Sequence, residues 1–213
     1  MKINLPLSFK DYSDIFNSVR PILNELKEDY ELEGACIPLN FFAYAILREN
    51  FKQFNSYFMV GNVIYRIEKN TLCYYDFNDH KSPNNWHTFI FLDDENNNRY
   101  YLDFTAPLFG EILKKKTGLE NNIERKMFQK NISDSKEMED EFIDGDFFYL
   151  IDDELRKKMI KELNVNKTLQ ECAALAVKLF NSKLDEILIS VKKSNQTIIK
   201  PIRKTNFKIE KSW

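Results

Sequence analysis

The residue best suited to covalent chemistry is Cys36, which begins a long run of mostly apolar residues. Pro38 fits a helix only in its first turn, so this run predicts a helix whose N-terminus lies at Cys36. Unpaired N–H groups and the helix dipole would there favour the nucleophilic thiolate over the thiol. The same N–H groups could bind an oxyanion. The alternative is a small buried core residue, because free cysteines are often buried.

A predicted β-hairpin over residues 86–92 and 99–104 supplies a base and a carboxylate. If its polar loop centres on Glu95, His87 lies directly opposite Asp103 on one face, whereas a one-residue shift would separate them. Asp103 ends an otherwise apolar strand, where a charge is costly without a partner. Such an Asp would fix the tautomer of the imidazole and stabilise imidazolium. The alternative is an ordinary cross-strand pair.

Three further residues are candidates for contacting a substrate or an oxyanion. Between residues 37 and 47, every residue except Asn40 is apolar, Pro, Tyr or Ala. Asn40 lies one helical turn after Cys36. Its role could be structural or functional, since a buried amide needs partners in either case. Tyr30 could offer a hydroxyl or pack as an aromatic residue. Asn85 could line a pocket or form a turn.

The composition excludes several classes of function. The chain has 213 residues and balances 31 Lys and Arg against 33 Asp and Glu, a formal net charge of -2. This balance predicts neither a nucleic-acid partner nor attraction to an anionic membrane. No apolar run approaches the roughly 18–20 residues that span a bilayer.

The cysteines and histidines argue against a metal site and a disulfide framework. Cys36, Cys73 and Cys172 are an odd number at unrelated spacings, and His80 and His87 are the only imidazoles. No pair has the short spacing of zinc ligands. We therefore expect no metal, no organic cofactor and a reducing, cytoplasmic location.

The elements that must position these groups can be predicted from periodicity. The apolar helix that begins at Cys36 is expected to be central, because it has apolar residues on nearly all sides. Together the patterns predict one α+β domain over residues 1–213, with a core at about 8–107 and a helical part at about 108–213. The predicted helices span residues 8–30 (with a kink or a new start at Pro21), 36–51, 108–116, 152–163 and 168–190; the predicted strands span residues 56–67, 71–77, 86–92, 99–104 and 196–202. Residues 143–151 could form a strand or a buried turn.

The order of the three reactive groups resembles a known superfamily. The matching stretches are Gly-Ala-Cys at 34–36, Asn-Trp-His at 85–87 and Tyr-Tyr-Leu-Asp-Phe-Thr at 100–105. They resemble the papain-like cysteine enzymes, in particular the transglutaminase-like and arylamine N-acetyltransferase-like branch. The resemblance implies a papain-like cysteine-proteinase fold, with N-terminal helices and a central buried helix packed on an antiparallel sheet. It also implies that Cys36 is the nucleophile, His87 its base and Asp103 the group that orients the base.

The sequence departs from the superfamily in ways that bear on function. Tyr30 stands where papain-type enzymes have a Gln six residues before the nucleophile, and Ile37 stands where many relatives have an aromatic residue. We expect a cysteine-dependent hydrolase or acyltransferase for a peptide, amide or small acyl substrate, working through a thioester. The alternatives are a catalytically inactive module of the same fold that binds a peptide or protein, and a globular protein with unrelated Cys and His residues.

Overall fold

The structure, a computed structural model, describes residues 5–25, 34–67, 70–73, 86–193 and 196–213. It combines α-helices with a mixed β-sheet, so the α+β class expected from the sequence is confirmed. The helices are α1 (Phe9–Glu25), α2 (Cys36–Asn50), α3 (Phe109–Thr117), α4 (Asp153–Val165) and α5 (Lys167–Phe180). The strands are β1 (Asn55–Ile67), β2 (Asn70–Cys73), β3 (His87–Asp93), β4 (Arg99–Asp103), β5 (Lys126–Asn131), β6 (Phe147–Ile151), β7 (Glu186–Lys193), β8 (Gln196–Arg203) and β9 (Lys211–Ser212).

The main sheet has the strand order β2-β1-β3-β4-β5-β9, and β6 also pairs with β1. Neighbouring strands are antiparallel except β5 and β9, which are parallel. Strands β3 and β4 therefore lie in the middle of the sheet, where ladder bonds on both sides fix their backbones. Strands β7 and β8 form a separate two-stranded sheet.

One face of the sheet is covered by helices α1 and α2, and α5 packs on these two helices. Helix α2 is buried on nearly all sides, as its apolar sequence predicts, and lies against α1, α5, β1 and β3. Helix α1 begins where predicted, because the Ser8 hydroxyl accepts a hydrogen bond from the N–H of Asp11 at 3.0 Å. It continues through Pro21 to Glu25 as one helix. Residues 26–30 of the predicted helix lie outside the described part.

The other face of the sheet carries an aromatic cluster. Its buried side chains include Tyr65 from β1, Phe89 from β3, Tyr101 from β4 and Phe128 from β5. Alternate residues of a strand point to opposite faces, so His87 and Asp103 share this face with Phe89 and Tyr101. The rings of Tyr65 and His87 meet edge to face, with centroids 6.2 Å apart. Both faces of the central strands are therefore buried.

The prediction of a helical C-terminal part was wrong in several places. Strand β5, which was not predicted, joins the main sheet, and β9 extends it. Strand β6 is the strand alternative considered for residues 143–151. The helix predicted over 168–190 ends at Phe180, and Ile187 belongs to β7 instead. The N-cap of this helix is Asn166, whose side chain accepts from the N–H of Leu169 at 3.1 Å, so the helix begins one residue before the predicted start. Alternating apolar residues after Asp185 indicate a strand, and this local period overrode the helical spacing.

None of the helices within the described ranges is both long enough and apolar enough to cross a membrane.

Candidate active site

The structure brings Cys36, His87 and Asp103 to one place, where α2 begins, β3 begins and β4 ends. Nε2 of His87 lies 2.7 Å from Oδ2 of Asp103, and both side chains are fully buried. Cys36 lies close enough to the same imidazole to contribute to its electrostatics. These three residues form a contiguous row, which we call the Cys-His-Asp row.

His87 and Asp103 meet diagonally, so the predicted register was wrong. Ile90 pairs with Leu102 and Phe91 with Tyr101, which shifts the partner of each β3 residue by two positions from the expected hairpin. A shift of two preserves which side chains share a face, whereas a shift of one would have reversed it. Diagonal neighbours remain within reach of a long side chain, and the imidazole spans the extra distance.

The carboxylate of Asp103 is surrounded by hydrogen-bond donors. Oδ1 accepts from the N–H of Thr105 at 2.8 Å and from Nδ2 of Asn40 at 3.1 Å. Oδ2 accepts from Oη of Tyr65 at 2.6 Å in addition to its contact with His87. A buried carboxylate with this many donors stays ionised despite the loss of water.

The charge states of the pair follow from this geometry. Burial favours neutral imidazole, but the charge and hydrogen bond of Asp103, with a further contribution from Cys36, raise the pKa of His87 to about 10. Burial also opposes the charge on Asp103, yet His87, Tyr65 and the Thr105 N–H lower the pKa of that carboxyl. The pair is therefore an imidazolium and a carboxylate at neutral pH.

Asn40 lies at the centre of the site, but it does not have the oxyanion role considered from the sequence. Its Nδ2 group donates to the carbonyl of Thr88 at 2.7 Å, to Asp103 at 3.1 Å and to the hydroxyl of Thr105 at 3.2 Å. Its Oδ1 accepts from the N–H of Phe104 at 2.9 Å. Because the amide is buried and its polar atoms are engaged within the protein, Asn40 positions Asp103.

The start of α2 is anchored to β3 close to the sulfur. Oγ1 of Thr88 donates to the carbonyl of Cys36 at 2.6 Å, one position after His87 in the strand. Ala35 precedes the helix and provides no side-chain cap. Pro38 has no N–H, and the N–H of Leu39 donates to the Ala35 carbonyl at 3.1 Å. The N–H groups of Cys36 and Ile37 lie in the first turn of α2, at the positive end of the helix dipole.

Some residues of the site were missed by the sequence analysis, and some predicted ones cannot be placed. Tyr65 and Thr88 hydrogen-bond to the row, yet a Tyr or Thr in a strand carries no signal beyond β propensity. Tyr30 and Asn85 lie outside the described residues, so the structure does not position them.

Access to the row is narrow. Cys36 retains 6% of its surface exposed, and His87 and Asp103 have none. A cavity of about 630 Å³ is lined by other positions of α2 with α4 and α5, and the row is not part of its lining. Within the described residues, no group of His, Cys, Asp and Glu side chains has an arrangement that could hold a metal ion.

Comparison with known proteins identifies a fold and a family. A solved structure, the crystal structure of a genomics target, APC5867, is similar over 99% of this chain and 98% of its own, with a TM-score of 0.78 and 19% identity. At this identity the similarity shows a shared fold. No curated protein matches the chain. The family described as "Protein of unknown function (DUF2026)" matches residues 8–213, and the chain therefore belongs to this family.

Proposed function

We propose that the protein is a cysteine-dependent enzyme that acts on an acyl group, with a papain-like fold of the transglutaminase-like type. The observation that carries the proposal is the buried His87–Asp103 ion pair beside a cysteine at a helix N-terminus. An ion pair with a purely structural role does not need a thiol beside it. Nucleophilic catalysis needs a nucleophile next to a base, and a third group that orients the base.

The first half of the reaction forms a thioester. The Cys36 thiolate attacks the carbonyl carbon, a C–S bond forms, and the carbonyl electron pair moves to oxygen. The N–H groups of Cys36 and Ile37 would stabilise this oxyanion. Since Nε2 of His87 is held by Asp103, Nδ1 is the nitrogen that gives its proton to the leaving amine as the bond to that amine breaks.

The second half releases the acyl group. Water or an amine attacks the thioester carbon and passes a proton to Nδ1 of His87, and the Cys36 thiolate leaves as the C–S bond breaks. Asp103 keeps its charge throughout and stabilises imidazolium in both halves. Water as the acceptor gives hydrolysis, and an amine gives acyl transfer.

A second candidate function is a catalytically inactive module that binds a peptide or protein partner. The burial of the row favours it, because only 6% of the Cys36 surface is accessible in the described part of the chain. In this case the row would be a structural ion pair, and the thiol would be as unreactive as Cys172, which is also buried.

The reactivity of the Cys36 thiol distinguishes the enzyme from the inactive binding module. We expect iodoacetamide to label the native protein rapidly at Cys36, and we expect Cys36→Ala to abolish this labelling while Cys172→Ala and Cys73→Ala retain it. His87→Gln should slow the labelling at least about tenfold, since it removes the imidazolium partner of the thiolate. Labelling of native Cys36 no faster than that of Cys172, or rapid labelling that persists in Cys36→Ala, would contradict an enzymatic role.

A further inference from the structure

One cavity lies away from the Cys-His-Asp row and has the dimensions of a small-molecule site. Its volume of about 630 Å³ falls within the range of roughly 300–1,000 Å³ that is usual for ligand pockets. It is partly open to solvent and is lined by α2, by the first part of β1, and by α4 and α5. The Cys-His-Asp row occupies a different side of α2, so the cavity is a separate site.

The arrangement of α2 keeps the two sites apart. Four residues of α2 line the cavity: Phe41, Tyr44, Ala45 and Arg48. Their three- and four-residue spacing places them on one side of the helix. Asn40 belongs to another stripe, which faces β3 and Asp103. Helix α2 therefore presents its N-terminus to the row and a different side of its C-terminal half to the cavity.

The wall of the cavity is apolar in one part and polar in another, where Asn164 and Gln170 lie. Phe41, Phe58 and Leu163 are buried side chains of its wall. Ala45 of α2 and the exposed Ala174 of α5 also line the cavity, and longer side chains at these positions would occupy part of its space. A hydrocarbon ligand would instead make dispersion contacts with the apolar side chains of the wall.

Two arginines from different helices contribute positive charge to the same space. Arg156 of α4 is fixed by a hydrogen bond of 2.9 Å from Nε to the carbonyl of Phe58, and the guanidinium of Arg48 lies over the ring of Tyr44. Among the described residues no carboxylate lies within ion-pair distance of either guanidinium. Glu49 also lines the cavity, but its carboxylate lies 3.7 Å from Nζ of Lys52.

We propose that this cavity binds an anionic amphiphile: a carboxylate at the end of an unbranched hydrocarbon chain. The hydrocarbon chain would lie against the apolar part of the wall. The carboxylate would be held between Arg48 and Arg156, whose planar guanidinium groups match a carboxylate with two parallel hydrogen bonds. Both guanidiniums would then acquire the counter-charge that the described part of the chain does not provide. The proposal does not depend on chemistry at Cys36.

Binding of decanoate, measured by isothermal titration calorimetry, tests the proposal. We expect one decanoate per chain and binding at least about tenfold tighter than that of 1-decanol or acetate, since each of these lacks one half of the ligand. Acetate that binds as tightly as decanoate would contradict a contact between the hydrocarbon chain and the apolar part of the wall. 1-Decanol that binds as tightly as decanoate would contradict the role of the arginines.

Variants assign the binding to this cavity. The double variant Arg48→Gln, Arg156→Gln should weaken decanoate binding about tenfold or more and leave 1-decanol binding unchanged. The matched control Lys158→Gln, Lys161→Gln removes two exposed charges from α4 outside the cavity and should have little effect. Ala174→Phe, on an exposed position of α5, should weaken binding of both ligands by filling the space.

Three outcomes would overturn the proposal, provided that far- and near-ultraviolet circular dichroism shows the variants to be folded. The first is unchanged decanoate binding in the double Arg variant, and the second is unchanged binding in Ala174→Phe. The third is loss of binding in Cys36→Ala, which would place decanoate in the Cys-His-Asp row rather than in the cavity. Loss of thiol reactivity alone would count against the proposed enzyme and leave the cavity site intact.

Discussion

Asp103 shows how single residues make a buried charge tolerable in this protein. Its side chain accepts from His87, Asn40, Tyr65 and the N–H of Thr105, and its own carbonyl accepts from Oη of Tyr12. Burial and the nearby carboxylate raise the pKa of Tyr65 well above its ordinary value, so the phenol stays protonated and donates. Each donor replaces a water molecule that the carboxylate lost on burial, and the removal of one donor leaves an unsatisfied polar group.

The imidazolium at His87 makes the free energy of unfolding depend on pH, and the direction of this dependence follows from the shift in pKa. The pKa of His87 rises from an ordinary value of 6.5 to about 10 in the folded protein, so the folded chain retains a proton that the unfolded chain has released. This contribution to the free energy of unfolding is complete below about pH 6.5 and is lost as the pH rises through the folded pKa. We expect urea denaturation of Cys36→Ser, in which no thiol titrates at the site, to show falling stability from pH 7 to 10.

The control for this prediction is Cys36→Ser with His87→Gln, which should lose the decline. Side-chain nitrogen NMR gives a second measurement, since both ring nitrogens of His87 should show imidazolium shifts at pH 8. Neutral imidazole at that pH, or equal pH profiles for the two variants, would contradict the ion pair.

Asn40 is predicted to matter more for stability than its type suggests. Asn40→Ala removes hydrogen bonds to Thr88, Asp103, Thr105 and Phe104, and leaves several buried polar groups unpaired. We expect a loss of about 3 kcal/mol or more in the free energy of unfolding, because each unsatisfied group costs roughly 1–3 kcal/mol. Asn50→Ala on the same helix is the control, since it removes one partly buried bond to Ile46. Similar losses in both variants would contradict the positioning role.

At the level of elements, β1 organises the end of the sheet where the row lies. It pairs with β3 over Asn55–Gly61 and with β6 over Gly61–Tyr65, so Gly61 adjoins His87 on one partner strand and Ile151 on the other. A Cβ atom at Gly61 would lie 2.1 Å from the carbonyl oxygen of Leu150. The absence of a side chain there allows β6 to approach as β3 begins, which fixes the start of the strand that carries His87.

Gly61 is not part of the Cys-His-Asp row, but we expect Gly61→Ala to change the position of His87 within it. The clash is with backbone, which cannot rotate away, and we expect a loss of about 1–3 kcal/mol in unfolding free energy, typical of overpacking. Slower alkylation of Cys36 should accompany it. The control is Gly118→Asn, where nothing lies within 4 Å and Asn tolerates the positive φ of 71°. An unaltered stability and alkylation rate in Gly61→Ala would show that β6 does not restrain His87.

At the scale of the whole molecule, distant parts of the chain complete one sheet. Strand β9, near the C-terminus, pairs with β5, and the N–H of Trp213 donates to the carbonyl of Met127 at 3.0 Å. The ring of Trp213 lies under Nζ of Lys126, 3.8 Å from its centroid, and packs against the aromatic cluster. The last residues thus cover the edge of β5 and part of the face that carries His87.

Removal of residues 210–213 should expose that edge. We expect lower thermal stability and concentration-dependent association on size-exclusion chromatography, because an uncovered strand edge pairs with other chains. The control is Lys211→Ala with Ser212→Ala, which keeps the backbone ladder and alters only exposed side chains. A truncated chain that remains monomeric at high concentration would contradict a covering role for β9.

Several features were predictable from the sequence because they depend on local rules. The buried helix at Cys36 follows from its apolar residues and Pro38, and the hairpin that carries His87 and Asp103 follows from two apolar segments flanking a polar loop. The prediction that His87 and Asp103 lie on the same face of the sheet was correct although the predicted register was wrong by two residues, because side chains alternate between the faces with a period of two. The predicted start of α1 near residue 8 is equally local, because the Ser8 hydroxyl and the N–H of Asp11 that it accepts from lie within one helical turn.

Only the tertiary structure determined which distant groups support the row. The bonds from Asn40 and Tyr65 to Asp103 join residues 63 and 38 positions apart, and no periodic pattern encodes such contacts. The tertiary structure also corrected the C-terminal part, where β5 was added to β4 and the helix was ended at Phe180. A local pattern specifies which face of an element is apolar, whereas the partner of that face depends on how all the elements pack together.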